Sequence, residues 1–302
     1  MEFAHPEALV SADWLAEHYQ DPDIRIVDAT HHLPISERDA KEEFGFRHIP
    51  GAVFFDVDDI CNQETDLPHM IPSPESFAER VGRLGIGNEH RVVVYDTAGG
   101  FLAAARVWWM FRLYGHVKVM VLDGGLPQWG RRRLPVEKGR KRVKGAKFKA
   151  GFNPAMVRDI TQVQANLDSG AELVVDARSP RRFLGQDWEP RKCKRLGHIP
   201  GSVNLPFPEL MVSRKDYLYR SPDEMADAFA KAGIDFSKTV VATCGSGLTA
   251  AVLAFGAYLL GHENVAVYDG SWAEWGNRED LPYDRSGPHP GEDGGITPAA
   301  AE

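Results

Sequence analysis

One series of segments occurs twice in this chain, in the same order. IRIVDAT at Ile24, RHIPGAVFF from Arg47, RVVVYDTAGG from Arg91 and VMVLDGGLPQW from Val119 form the first series. ELVVDARS at Glu172, GHIPGSVNLPF at Gly197, TVVATCGSG at Thr239 and VAVYDGSWAEW at Val265 answer them, offset by about 148 residues. Two long copies without a short period exclude a solenoid and specify a duplicated domain. At 302 residues, each half is long enough to bury a core of its own.

Within each copy, short β-branched runs such as VVVY and VVAT are too brief for buried helices and read as buried parallel strands. Amphipathic stretches lie between them. Ser73 followed by Pro74, and Ser221 followed by Pro222, each predict a helix start with serine as N-cap and proline at the first turn. Alternating strands and helices predict an α/β fold of two tandem domains, each a mostly parallel sheet flanked by helices. The boundaries fall at 8–134 and 155–284. The basic stretch 135–154, poor in apolar pattern, reads as a solvated linker, and the Gly/Pro/Ala-rich 285–302 as a mobile tail.

The net charge of −8 argues against nucleic acid or an anionic membrane as partner. No apolar run approaches the ~18 residues of a membrane span. The start, MEFAHPEALVSADW, has neither a signal-peptide pattern nor an Arg-rich transit pattern, which predicts a cytoplasmic protein. Three widely spaced cysteines, Cys61, Cys193 and Cys244, make no disulfide framework and no C-x-x-C zinc pair, as expected in a reducing compartment. His31-His32 resembles a metal pair, but no further ligand set is apparent in the sequence, so no metal or other cofactor is expected.

The chemistry concentrates at Val240-Val-Ala-Thr-Cys-Gly-Ser-Gly-Leu-Thr-Ala. An apolar strand ends, a glycine-rich turn follows, and a helix is predicted to start near Leu248. Ligands of parallel sheets bind at the carboxyl ends of strands. Gly245 and Gly247 let successive N–H groups turn inward, and such a nest opening on a helix N-terminus favours negative charge. A free cysteine is only a few per cent thiolate at neutral pH, and these surroundings favour the thiolate of Cys244 as nucleophile. A Cys-based phosphatase loop would require C-x5-R. Ala250 stands at the arginine position, so the loop lacks a phosphate clamp and suits a compact adduct on sulfur. The first copy carries Asp96 where the second has Cys244, and a carboxylate has no sulfur to carry such an adduct, so the N-terminal domain is expected to be catalytically silent.

The segment CGSGLTA closely resembles the CGSGVTA loop of 3-mercaptopyruvate sulfurtransferases, with Leu248 for valine. From about Ser11 to Trp275 the chain resembles the rhodanese superfamily of tandem-domain sulfurtransferases. The paired HIPG segments at His48 and His198 and the DG-x4-W segments at Asp123 and Asp269 are further marks. Thiosulfate sulfurtransferases of that superfamily typically carry CRKGVTA. Gly245 and Ser246 replace those two cations here, which weakens the case for a thiosulfate dianion.

The resemblance implies a 3-mercaptopyruvate sulfurtransferase that forms a Cys244 persulfide, releases pyruvate and passes sulfur to cyanide, a thiol or thioredoxin. It implies that Arg182 and Arg191 hold the carboxylate and ketone oxygens of the donor, work suited to a planar, bidentate guanidinium. Arg181 is a competitor for Arg182, and Arg178 reads as a structural partner. The resemblance further implies a proton relay of Ser246, His48 and Asp39, with Glu42 and Glu43 as alternative carboxylates. Arg47 is expected to point into the cleft, where Gly245, Gly247, Leu248 and Thr249 also meet the substrate. Cys193, among basic residues, is either redox-sensitive or an incidental thiol. The alternatives are thiosulfate sulfurtransferase and a non-enzymatic persulfide carrier.

Overall fold

The computed structural model describes residues 1–213 and 215–286. The residues 287–302 of the expected tail lie outside them.

Among the described residues, ten strands form two five-stranded, wholly parallel sheets. The first contains β1 (Leu9–Val10), β2 (Ile24–Asp28), β3 (Val53–Phe54), β4 (Arg91–Tyr95) and β5 (Val119–Leu122), in the order β1-β5-β4-β2-β3. The second contains β6 (Val157–Arg158), β7 (Glu172–Asp176), β8 (Val203–Asn204), β9 (Thr239–Thr243) and β10 (Val265–Tyr268), in the equivalent order β6-β10-β9-β7-β8. The duplication is therefore topological as well as sequential. The central strands are buried on both faces, which is why they read as unbroken apolar runs.

Helices α1 (Ala12–His18), α2 (Ala40–Phe46), α3 (Pro74–Arg83), α4 (Ala103–Leu113) and α5 (Gly125–Arg131) flank the first sheet. Helices α6 (Ile160–Ser169), α7 (Pro180–Phe183), α8 (Pro222–Lys231), α9 (Ala250–Leu259) and α10 (Ser271–Trp275) flank the second. Ser73 caps α3 by accepting the Ser76 N–H at 3.2 Å, with Pro74 in the first turn. Helix α9 begins at Ala250, two residues later than expected, because Leu248 and Thr249 still belong to the turn.

Helices α4 and α9 are buried almost all round because they pack on each other across the domain interface. Trp108 meets Phe255 edge-on at 4.7 Å, and Arg112 lies over the Tyr258 ring at 4.1 Å. A single apolar cluster runs from one domain into the other, so the two sheets share one core.

The stretch 135–154 is not a free connector. Glu137 pairs with His48 in an antiparallel bridge, the N–H groups of Ala146, Gly151 and Asn153 donate to Gly82, Tyr114 and Leu113, and Phe148 is buried. Its basic side chains face solvent while its backbone straps the N-terminal domain. Charge composition reveals the first property and not the second.

Candidate active site

Cys244 follows the last residue of β9 and is only 2% exposed. Its N–H donates to Ser271 Oγ at 3.2 Å. Its carbonyl accepts the Trp272 N–H at 3.0 Å, and the Gly245 carbonyl accepts the Ala273 N–H at 2.8 Å. Helix α10 thus fixes the outer rim of the loop through its carbonyls. The N–H groups from Gly245 to Thr249 find no acceptor among the described residues. Gly247 has φ of +77°, and a Cβ there would lie 2.9 Å from the Asp269 carbonyl oxygen. A Cβ on Gly245 would lie 2.7 Å from Arg182 Nη2. Glycine at 247 is demanded by the turn, whereas at 245 a side chain would meet only the movable end of Arg182.

The Asp96 loop of the first domain shows what such a turn holds. Asp96, at the cysteine position, accepts four backbone N–H groups: Ala98 at 2.9 Å, Gly100 at 2.7 Å, Leu102 at 3.3 Å and Ala104 at 3.1 Å. Burial pushes this carboxyl up, and the four donors pull it back. Four donors and no acceptor match an ionised carboxylate. The first domain therefore fills its nest with its own side chain. The second presents the same kind of nest with its donors unspent and a thiol at the mouth.

Each domain also reaches over the loop of the other. His69 (φ +61°) and Tyr217 (φ +58°) stand 148 residues apart, each four residues before the Ser-Pro helix start. Tyr217 lies over Gly99 of the Asp96 loop, where a Cβ would meet its carbonyl oxygen. His69 lies over the cysteine loop. Its Nδ1 is 3.2 Å from Ser246 Oγ and 3.4 Å from the Ser246 carbonyl oxygen. Its Nε2 is 3.1 Å from Asp58 Oδ1 and 3.1 Å from Arg191 Nη2. Burial, above all, pushes the His69 imidazole below its ordinary value, while Asp58 pulls the other way. His31 and His69 hold the Asp58 carboxyl well below the usual carboxylate range. Ser246, His69 and Asp58 are thus aligned over the Cys244 loop.

The expected relay through His48 and Asp39 is corrected by this geometry. His48 is buried on the Phe44 ring at 4.0 Å, with Nδ1 2.7 Å from the Phe44 carbonyl oxygen and Nε2 facing Glu137 at 3.9 Å. His198 repeats the arrangement on Phe183, with a ring distance of 3.7 Å and Nδ1 2.7 Å from the carbonyl oxygen. Both HIPG histidines lock the turn after a helix. Asp39 caps α2 by accepting the Glu42 N–H at 2.9 Å, and Glu43 pairs with Arg38 and His32. Arg47 lines a cleft of about 440 Å³ beside Asp28 and Thr97, at the mouth of the Asp96 loop, so it too is displaced from the cysteine side.

Arg182 and Arg191 do reach the Cys244 side. Arg182 pairs with the buried Glu189 and touches Gly245. Arg191 has no carboxylate within ion-pair distance among the described residues, its Nε is buried without a partner, and burial pushes its guanidinium down. Such a cation is set to receive an anionic group. Arg178 is fully buried between Asp176 and Glu189 and serves the scaffold. Arg181 is exposed and pairs with Asp187. Leu248 is buried, and Thr249 precedes α9 without a side-chain cap bond. Burial pushes the Cys193 thiol up, and it donates to the Arg195 carbonyl at 3.1 Å, which is the behaviour of a packed thiol despite its basic neighbours.

Three residues of the site escape sequence reasoning: His69, Asp58 and, within no motif at all, Arg106. Arg106 of α4 is buried and crosses the interface. Its Nη2 donates to Asp269 Oδ1 and to the His69 carbonyl oxygen, each at 2.6 Å, and its Nη1 approaches the Gly247 carbonyl oxygen at 3.4 Å. Asp269 Oδ2 accepts the Ile71 N–H at 2.7 Å. Arg106 and Asp269 therefore join the His69 segment to the cysteine loop.

The model of the rhodanese-like domain matches residues 11–132 and again 159–278. The 3-mercaptopyruvate sulfurtransferase of Homo sapiens is 45% identical over 273 residues, covering 89% of this chain and 91% of its own. The thiosulfate sulfurtransferase of Bos taurus is 42% identical over 277 residues, covering 90% and 92%. The crystal structure of SseA from Escherichia coli, a rhodanese fold described as a 3-mercaptopyruvate sulfotransferase, superposes with a TM-score of 0.80 at 39% identity, covering 88% of this chain and 99% of that one.

Proposed function

Because the chain belongs to the rhodanese-like domain family, with two copies of that domain, we propose that it is a 3-mercaptopyruvate sulfurtransferase working through a persulfide on Cys244. The observation that carries this reading is the thiol of Cys244 at a nest whose donors are unpaired, where the twin loop binds a carboxylate in the same place. The names of the relatives support sulfur transfer between a small donor and an acceptor. Their identities, 45% and 42%, do not separate the two donors. The loop does: Gly245 and Ser246 add no cation for a dianion, and Arg191 is left to receive one carboxylate.

In this mechanism the Cys244 thiolate attacks the sulfur of 3-mercaptopyruvate, held by Arg191 and Arg182. An S–S bond forms as the C–S bond breaks, and the electron pair passes to carbon as the pyruvate enolate. The proton lost from the transferred sulfhydryl returns to that carbon through Ser246 and His69, with Asp58 orienting the imidazole. Pyruvate leaves, and the loop N–H groups hold the charge of the persulfide. An acceptor thiol, reduced thioredoxin or cyanide then takes the outer sulfur. The N-terminal domain forms no persulfide and contributes His69, Asp58 and Arg106 to the shared cleft. No described helix is long and apolar enough to cross a membrane. The three unpaired cysteines support a reducing, cytoplasmic setting.

Steady-state turnover with each donor tests the assignment. The kcat/KM for 3-mercaptopyruvate should exceed that for thiosulfate by about tenfold or more, which is about 1.4 kcal/mol of transition-state discrimination. Equal or reversed preference would transfer the assignment to thiosulfate. A second comparison tests the relay. His69→Ala should lower kcat with 3-mercaptopyruvate by about 10²-fold, the scale of a lost general acid–base. His48→Ala should keep kcat within about threefold while lowering Tm, because it loses a buried ring contact and a hydrogen bond.

A further inference from the structure

His31 carries no proton in the relay, yet it touches the relay carboxylate Asp58. The structure sends the neighbouring histidines of the His31-His32 pair to different places. His32 Nε2 lies 2.9 Å from Glu43. His31 turns inward, only 7% exposed, with Nδ1 3.4 Å from Asp58 Oδ2 and its ring edge-on to His69 at 4.9 Å. Its Nε2 is buried without a partner. Hydrogen bonding alone leaves this placement poorly explained, since one nitrogen has a long contact and the other has none.

We propose that His31, Asp58 and His69 form a divalent-metal site of zinc type whose occupation shuts the enzyme off. The donor atoms of the three all lie within 4.8 Å of one another. Two ligands of a tetrahedral zinc at Zn–N and Zn–O distances of 2.0–2.1 Å stand about 3.3 Å apart. His69 Nε2 lies 3.1 Å from Asp58 Oδ1 and His31 Nδ1 3.4 Å from Asp58 Oδ2, so each imidazole faces its own oxygen of the carboxylate, and a cation held by either oxygen needs only a small adjustment of the other imidazole. Two imidazoles and a carboxylate, with one position left to water, suit zinc better than a hard alkaline-earth ion. The ligand His69 is oriented from behind, because its Nδ1 is engaged by Ser246. The site already accommodates positive charge, since the Arg191 guanidinium lies 3.1 Å from His69 Nε2. A bound cation takes that place. It removes the imidazole lone pair from Ser246 chemistry and drives Arg191 from its position.

The inhibitory part of the proposal rests on the role given to His69; the binding part does not, and it is measured without substrate. Zinc is titrated into the full chain carrying Cys244→Ser, with a chromophoric chelator as competitor, and the measurement is repeated after adding His31→Phe or His31→Gln. One zinc should bind with Cys244 absent, and affinity should fall about tenfold or more in both His31 variants. With Cys244 present, zinc should inhibit turnover in a way that a chelator reverses, and each His31 variant, compared with its own zinc-free turnover, should resist zinc by a similar factor. Binding that disappears with Cys244→Ser, or that is unchanged by both His31 substitutions, overturns the site. Binding that follows His31 without inhibiting turnover overturns the shut-off. Loss of turnover in zinc-free His31→Gln with the fold intact would instead make His31 part of the relay and likewise overturn the proposal as stated.

Discussion

Cys244→Ala is expected to abolish sulfur transfer, lowering kcat by about 10⁴-fold or more, the scale seen when a covalent nucleophile is removed. The protein should remain folded. The side chain is small and stands at the mouth of the loop, whose shape is set by other groups: the Ser271, Trp272 and Ala273 contacts to its backbone and the left-handed Gly247. Thermal unfolding should therefore shift by only a few degrees. Mass spectrometry of donor-treated protein should place one added sulfur on the Cys244 peptide of the parent and none on the variant. Sulfur found on Cys61 or Cys193 instead would defeat the covalent mechanism. Burial pushes both thiols up, which argues against either as the nucleophile. Cys244→Asp gives a sharper form of the experiment, since it copies Asp96. That variant should be inactive and at least as stable as Cys244→Ala, with its carboxylate filling the nest.

The two copies also explain which parts of the site could be read in advance. Strand runs, Ser-Pro helix starts and the Cys-Gly-Ser-Gly turn are local, and each lies within about ten residues of sequence. Arg182 and Arg191 follow from the same motif-bearing stretch. His69 does not, because its partner Ser246 is 177 residues away and the segment from Asp58 to Pro72 has neither helical nor strand period. A usable signal was present all the same: His69 matches Tyr217 in the other copy. His48 misled for the opposite reason. It recurs as His198, and a feature present in both copies is explained by what the copies share, which is the fold. The catalytic differences lie where the copies disagree, at Cys244 against Asp96 and at His69 against Tyr217.

Arg106 is the third such disagreement, and its loss is expected to have the second-largest effect. Helix α9, the counterpart of α4, carries no charged residue at all. The equivalent aspartates show the consequence. Asp123 and Asp269 each accept a backbone N–H from the loop that reaches over, from Tyr219 and Ile71 respectively. Burial pushes Asp123 up to about 6 with no buried arginine beside it, whereas Asp269 is paired with Arg106 at 2.6 Å. Arg106→Met leaves the Asp269 carboxylate buried and uncompensated, and it also removes the guanidinium stacked 4.5 Å over Trp109. The cost of such a break is about 3–5 kcal/mol, measurable as a lowered denaturant midpoint. Activity should fall further than the folded fraction, because the Gly247 and His69 carbonyl oxygens lose their shared donor and the relay loses its register with the thiol. Arg106→Met combined with Asp269→Asn should recover part of the stability, since the amide oxygen still accepts from Ile71 and no buried charge remains. It should recover little of the activity. Equal recovery of both would reduce Arg106 to a stabilising ion pair, and recovery of neither would mean that its hydrogen bonds to His69 and Gly247, more than its charge, hold the two domains in the reactive arrangement.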